Sequence, residues 1–187
     1  MKTFASLCTG GELVGVGAQI AGLFPCGGIE YDPAIAAVAQ RNHPNTHIIH
    51  ADVCTVSYDY FPRVDVLHAS PPCPNFSIAN KVRGETTADR AIAHAITRAI
   101  ATIQPQVFTL DNVSAYQHSE SFKEIVQCLH DRDYALEWHV LNAADFGIPQ
   151  TRKRLWLFAR AGGWMRAPLF LPKQQSRISW YAAIADI

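Results

Sequence analysis

Short β-rich runs alternate with helical stretches along most of this chain, and that alternation restricts the fold more than any other feature. The runs are TFASLC (3–8), CGGIEY (26–31), THIIHAD (46–52), VDVLHAS (64–70), QVFTLDNV (106–113), YALEWHVLNA (134–143) and RLWLFARA (154–161). Between them lie TGGELVGVGAQIAG, DPAIAAVAQRNH, TTADRAIAHAITRAIATIQ and SESFKEIVQCLHD, all with helical character. Asp32 and Pro33 form a good helix start, a capping side chain followed by proline at the first helical position. This alternation predicts an α/β fold with a mostly parallel sheet and helices on both faces. Ligands of such sheets sit beyond the carboxyl ends of the strands.

The chain has 187 residues, a length that suits one domain with a real core. After residue 161 the character changes. GGWMRAPLFLPKQQSRISWYAAIADI mixes glycine, proline and polar residues and ends in a short helix-like stretch. The expected division is a domain at 1–161 and a linker at 162–187.

Several function classes are excluded early. The five cysteines are odd in number and form no CxxC pair, which argues against a disulfide framework or a structural zinc site. Cys8, Cys26, Cys54 and Cys128 read as small buried hydrophobes. His47 and His50 fall an odd number apart in a strand and point to opposite faces, so no metal site is expected. No stretch is long and apolar enough to span a bilayer. MKTFASLCTGG makes a poor signal peptide, so a cytoplasmic protein is expected. Formal net charge is zero, which neither demands nor excludes nucleic acid. The densest basic cluster is QTRKR at 150–154.

The strand ends carry the chemistry. Gly10, Gly11, Gly15 and Gly17 follow the first strand, where glycine lets backbone approach a ligand. Glu30 ends the second strand, a position that commonly holds ribose hydroxyls. Asp52 ends the third and offers an acceptor to an exocyclic amine. No GxxxxGK[ST] occurs, so a nucleoside triphosphate site is not expected. Beyond the fourth strand, HASPPCPNFS (68–77) places Cys73 after a stiff Pro-Pro turn, either as a packing residue or as a displayed nucleophile.

HASPPCPNFS, LDNV and NAADFGIPQTRKRLWLFA together resemble the cytosine-5 DNA methyltransferases, in order and in spacing, from Phe4 to about Phe158. The resemblance implies a Rossmann-like fold and S-adenosyl-L-methionine as cofactor. It implies that Leu7, Gly10, Gly11, Glu30, Tyr31, Asp52, Val53 and Pro72 bind the cofactor. Cys73 falls on the catalytic cysteine, and Asp111 on the glutamate of a Glu-Asn-Val motif. Arg152 and Arg154 fall on arginines that support the target base and the active-site loop. Pro72, Ser77 and Asn112 are implied to touch the substrate.

The implied chemistry needs such groups. Cytosine carbon 5 is a poor nucleophile until a thiolate adds to carbon 6, so the reaction goes through a covalent adduct. Ring nitrogen 3 gains electron density and needs a proton donor, a protonated or proton-sharing carboxyl in a dry pocket. The base must leave the duplex, which costs a few kcal/mol.

The sequence also departs from the family. Asp111 is one methylene shorter than glutamate, about 1.5 Å of reach. Cys8 stands where the family has phenylalanine, Glu12 where it has glycine, and Pro74 where it usually has glutamine. The family continues into a target-recognition domain and two further blocks that this sequence lacks. The resemblance therefore implies a cytosine-5 DNA methyltransferase of bacterial or phage type, cytoplasmic and nucleoid-associated. It would act on double-stranded DNA as a fragment or as one subunit beside a second polypeptide that brings the target-recognition domain. The alternatives are an inactive remnant that binds cofactor or DNA, and a relative of the branch that acts on transfer RNA.

Overall fold

The computed structural model describes residues 1–76, 84–162 and 175–185, so the expected substrate contact Ser77 lies outside the described residues. A seven-stranded sheet forms from β1 (Thr3–Leu7), β2 (Phe24–Glu30), β3 (His47–His50), β4 (Val66–Ala69), β5 (Val107–Asn112), β6 (Tyr134–Asn142) and β7 (Lys153–Ala161). Its spatial order is β3-β2-β1-β4-β5-β7-β6. The first five strands in that order run parallel, and β7 runs antiparallel to both β5 and β6. The strand order reverses between β1 and β4, which makes a topological switch point where open α/β sheets hold ligands.

The helices are α1 (Leu13–Ile20), α2 (Pro33–Asn42), α3 (Thr87–Ile103), α4 (Glu120–His130) and the short α5 (Trp180–Ala183). Their starts follow from the sequence. The Asp32 carboxylate accepts from the Ala34 and Ile35 amides ahead of α2. Thr86 and Asp89 form a reciprocal capping box on α3. The Ser119 hydroxyl accepts from the Phe122 amide on α4.

Successive strand residues point to opposite faces. On one face Leu7, Ile29, Leu67, Leu110 and Leu157 are fully buried. They share one core with Ile96 and Ile100 of α3 and with Ile125 and Leu129 of α4. Each such side chain contributes about 1.5–3 kcal/mol by leaving water. α1 and α2 pack against β1, β2 and β3, and the hydroxyl of Ser6 on β1 donates to Glu12 just before α1. On this second face, toward β4, β5 and β7, lie His68, Thr109, Asp111, Trp156 and Phe158, matched by register. Beyond residue 161, the Gln175 amide donates to the Asp145 carbonyl, and Arg177 pairs with the Asp145 carboxylate at 2.7 Å. No helix among the described residues is long and apolar enough to cross a membrane.

Candidate active site

The loop after β1 is built on left-handed backbone. Cys8, Gly10 and Glu12 have φ of 55°, 58° and 57°. A non-glycine residue adopts this region at a cost, so Glu12 keeps a conformation that suits glycine. The Glu12 side chain is fully buried and accepts from the Ser6 hydroxyl at 2.6 Å, while its Oε1 has no hydrogen-bond partner. It fills space that Gly15 leaves open, because a Cβ on Gly15 would meet Glu12 Oε1 at 2.8 Å. The carboxyl is therefore folded into the interior and does not line the cavity below.

Burial pushes the Glu12 carboxyl up to about 7, against the lowering effect of Ser6. The folded state then holds a proton that the unfolded chain releases near the ordinary glutamate value of 4.5. Stability is highest below that value and falls as pH rises toward about 7, by roughly 3 kcal/mol in total. Urea unfolding at pH 5 and pH 8 checks this: Glu12→Gln flattens the difference, and an unchanged pH dependence overturns the assignment.

The carboxyl ends of β1, β2 and β4, with the turn after β3, surround a cavity of about 570 Å³. Gly10, Glu30, Tyr31, Asp52, Val53 and Pro72 line it. Glu30 is fixed from both sides: one oxygen accepts from the Gly10 amide at 2.7 Å and the other from the Asp32 amide at 3.0 Å. One Asp52 oxygen accepts from the Cys54 amide at 2.8 Å. Leu7 and Gly11, expected here, do not line the cavity. Leu7 is wholly buried, and its carbonyl accepts from the Ser70 amide at 3.1 Å. The Gly11 carbonyl accepts from Asn42 at 2.8 Å.

The expectation for the other cysteines needs correction. Only Cys128 is buried; Cys8, Cys26 and Cys54 are half-buried. Cys8 and Cys54 are cavity residues, together with Ser70 and with Ala88, Ala91 and Ile92 near the start of α3. Burial pushes the Cys8 thiol up to about 12, helped by the charges of Glu30 and Asp52 and by Cys54, so it is no thiolate nucleophile.

Asp111, Arg152 and Arg154 meet in a second cavity of about 360 Å³, walled by Phe146, Trp156 and Phe158. The antiparallel register brings this about: Asp111 faces Trp156 and Asn112 faces Leu155, so Arg154 follows directly at the strand end. Burial pushes the Asp111 carboxyl up, but His68, Ser70 and Arg154 outweigh it and hold it below the usual carboxylate range. Dryness therefore does not protonate this carboxyl, contrary to the simplest expectation for a dry pocket.

The Pro71-Pro72-Cys73 turn borders the first cavity and is tied to β5, the strand that carries Asp111. Pro72 and Ser70 line the first, and the Asn112 side chain, next to Asp111, donates to the Pro71 carbonyl at 3.1 Å. Cys73 is half-buried, and its carbonyl accepts from the Phe76 amide at 3.1 Å.

The profile of the family described as C-5 cytosine-specific DNA methylase matches residues 2–176. The chain belongs to this family. It is 31% identical over 173 residues to the type II methyltransferase M1.HphI of Haemophilus parahaemolyticus, covering 86% of this chain and 46% of the relative. Against the type II methyltransferase M.AquIA of a Picosynechococcus strain it is 26% identical, covering 83% of this chain and 71% of the relative. A crystal structure from S. pombe, of the Dnmt2 methyltransferase, superposes with a TM-score of 0.70 at 20% identity, over 88% of this chain and 51% of that one. The chain spans about half the length of most curated relatives it matches.

S-adenosyl-L-methionine is the cofactor of this family. The first cavity fits it in size and in donor set. Ligand pockets run from about 300 to 1,000 Å³. The Glu30 and Asp52 carboxylates offer acceptors to hydroxyl and amine groups and complement a cation, while Val53, Pro72 and Ile92 offer apolar walls.

Proposed function

We propose that this chain is the cofactor- and cytosine-binding part of a DNA (cytosine-5)-methyltransferase that works through a covalent Cys73–cytosine adduct. One observation carries the reading: Pro72, beside Cys73, lines a cofactor-sized cavity, Asn112 ties the same turn to β5 through the Pro71 carbonyl, and Asp111, Arg152 and Arg154 line a second cavity. Bound in the first cavity, S-adenosyl-L-methionine supplies an electrophilic methyl group. Glu30 holds the ribose and Asp52 with Val53 the adenine, with Tyr31 beside it. Gly10 lets backbone come close, and the neighbouring Leu7 and Gly11 act through the loop they fix. Cys73 attacks carbon 6 of a cytosine flipped from double-stranded DNA. The Pro72 carbonyl accepts from the exocyclic amine, Asp111 serves ring nitrogen 3, and Asn112 holds the turn. Arg152 and Arg154 support the base and the loop, and Ser77 touches the substrate.

Residues 1–161 form the catalytic domain in this reading, and 162–187 lead toward a target-recognition part. That part sits on this or a second polypeptide, in the manner of a restriction-modification enzyme working on nucleoid DNA in the cytoplasm. Exposed apolar residues on α1 support a covering partner: Leu13 is 76% and Ile20 84% exposed.

Radiolabelled methyl transfer to DNA tests the proposal. The chain supplied with its target-recognition part is expected to exceed the chain alone by at least about a hundredfold. Transfer that stays at background with every such partner overturns it. One observation favours a second reading, a remnant that binds cofactor without transferring methyl: Asp111 is short and held ionised. Calorimetric binding of S-adenosyl-L-methionine without transfer is its signature.

A further inference from the structure

His68 is buried on β4, with 2% of its side chain exposed. A histidine so enclosed needs partners for both ring nitrogens. Nδ1 has one, the Thr109 hydroxyl at 2.8 Å. Nε2 makes no well-aligned hydrogen bond, and it lies 3.3 Å from the Asp111 carboxylate. The ring lies between Phe4, with centroids 6.4 Å apart, and Trp156, with centroids 5.9 Å apart. On the β1 side the residue in register is Ser6, whose hydroxyl donates to Glu12. On the β7 side the charged groups at Asp111 are Arg154 and, in the same cavity, Arg152. Asp111 thus has a dry face with one imidazole behind it and a cavity with two guanidinium groups in front.

This arrangement answers a problem that the proposed chemistry raises. Asp111 is held below the usual carboxylate range, so at neutral pH it carries no proton of its own for ring nitrogen 3. An imidazole directly behind it can hold that proton, because histidine changes charge near neutrality. A purely structural role would leave a buried polar ring where an apolar side chain packs at no such cost.

We propose that His68 is the positioning and proton-holding residue for Asp111, and that the pair supplies the proton that ring nitrogen 3 takes up when Cys73 attacks. The proposal rests on the methyltransferase reading and adds a residue to it. Before attack, the imidazolium donates Nδ1–H to Thr109 and directs Nε2–H at Asp111. As the sulfur–carbon 6 bond forms, the C5=C6 pair moves to C4–C5 and the C4=N3 pair moves onto nitrogen 3. The single Nε2 proton of His68 passes to the Asp111 carboxylate and on to nitrogen 3, so Asp111 is again ionised. The imidazole is left neutral, with its remaining proton on Nδ1 and donated to Thr109. When a base removes the carbon 5 proton and the thiolate is expelled, the nitrogen 3 proton returns to the pair. A carboxylate pinned from behind also loses less side-chain freedom during reaction, and aspartate has one torsion fewer to fix than glutamate.

The test uses the full chain, labelled with nitrogen-15, and follows the His68 imidazole by NMR across a pH titration. His68→Gln identifies the resonances. The expected result is a His68 midpoint at least about one pH unit higher than in Asp111→Asn, a tenfold tighter hold on the proton. Equal midpoints in the two proteins overturn the shared proton. This arm needs no turnover, so it reads out even if methyl transfer is never found. The second arm uses the methyl-transferring assembly. There His68→Gln lowers kcat by about a hundredfold, leaves KM for DNA unchanged and removes the histidine limb of the kcat–pH profile. Loss confined to KM or to folding, with the limb intact, overturns the role. His68→Asn, checked for cofactor binding, guards against a misfolded glutamine variant. If the wild-type assembly transfers no methyl, the reading of function fails while the titration still decides the pair.

Discussion

Cys73→Ser is expected to lower methyl transfer by on the order of ten-thousandfold or more, as removal of an enzyme's nucleophile does. DNA carrying 5-fluorocytosine gives a sharper readout. The fluorine cannot leave as a proton does, so the wild-type assembly stalls as a covalent adduct and the serine variant forms none. Cofactor binding is unchanged in the variant, because Cys73 does not line the cofactor-sized cavity while Pro72 and Ser70 do. An adduct that persists in Cys73→Ser places the nucleophile elsewhere. Cys8 is a poor candidate, since burial pushes its thiol up to about 12.

The second large effect is on the cofactor. Glu30→Ala removes the acceptor for both the Gly10 and Asp32 amides, made at 2.7 and 3.0 Å, besides any bond to the ligand. Hydrogen bonds to a charged group contribute about 1.5–3 kcal/mol each, so affinity for S-adenosyl-L-methionine falls by about a hundredfold or more. Glu30→Gln keeps one oxygen acceptor and loses about tenfold. Calorimetry with the cofactor measures both, and wild-type affinity in Glu30→Ala would falsify the assignment of this cavity.

The fold was legible where its signal is local. Strand runs, the Asp32-Pro33 start of α2 and the strand-end acids Glu30 and Asp52 can each be read within a few residues. What the sequence hid is non-local. Nothing in RLWLFARA says that β7 enters between β5 and β6 and runs antiparallel to both. The wall that α3 adds through Ala88, Ala91 and Ile92 likewise depends on packing across the sheet. Cys8 and Cys54 line a cavity where the sequence predicts core, because a small thiol suits both places equally. Glu12 stands where the family has glycine, and its left-handed backbone turns it inward beneath Gly15, which the sequence does not show. His68 did leave a trace: with Val66 it has the period of two that marks one strand face, so a polar group there must meet something on that face.

The placement of β7 also governs how the chain reaches its native state. β6 precedes β7 in sequence but, among the described residues, pairs with β7 alone, on the side of β7 away from β5. Until β7 has formed, β5 has an open edge and β6 has no partner in the sheet. A nascent chain emerging from the ribosome therefore passes through a stage with a bare hydrogen-bonding edge, the kind of surface that recruits other chains. Closure is a late, long-range event, with Asn112 finally opposite Leu155 and Leu141 opposite Arg154. The same insertion brings Arg154 to Asp111, so a chain arrested before it is both sticky and without its second cavity.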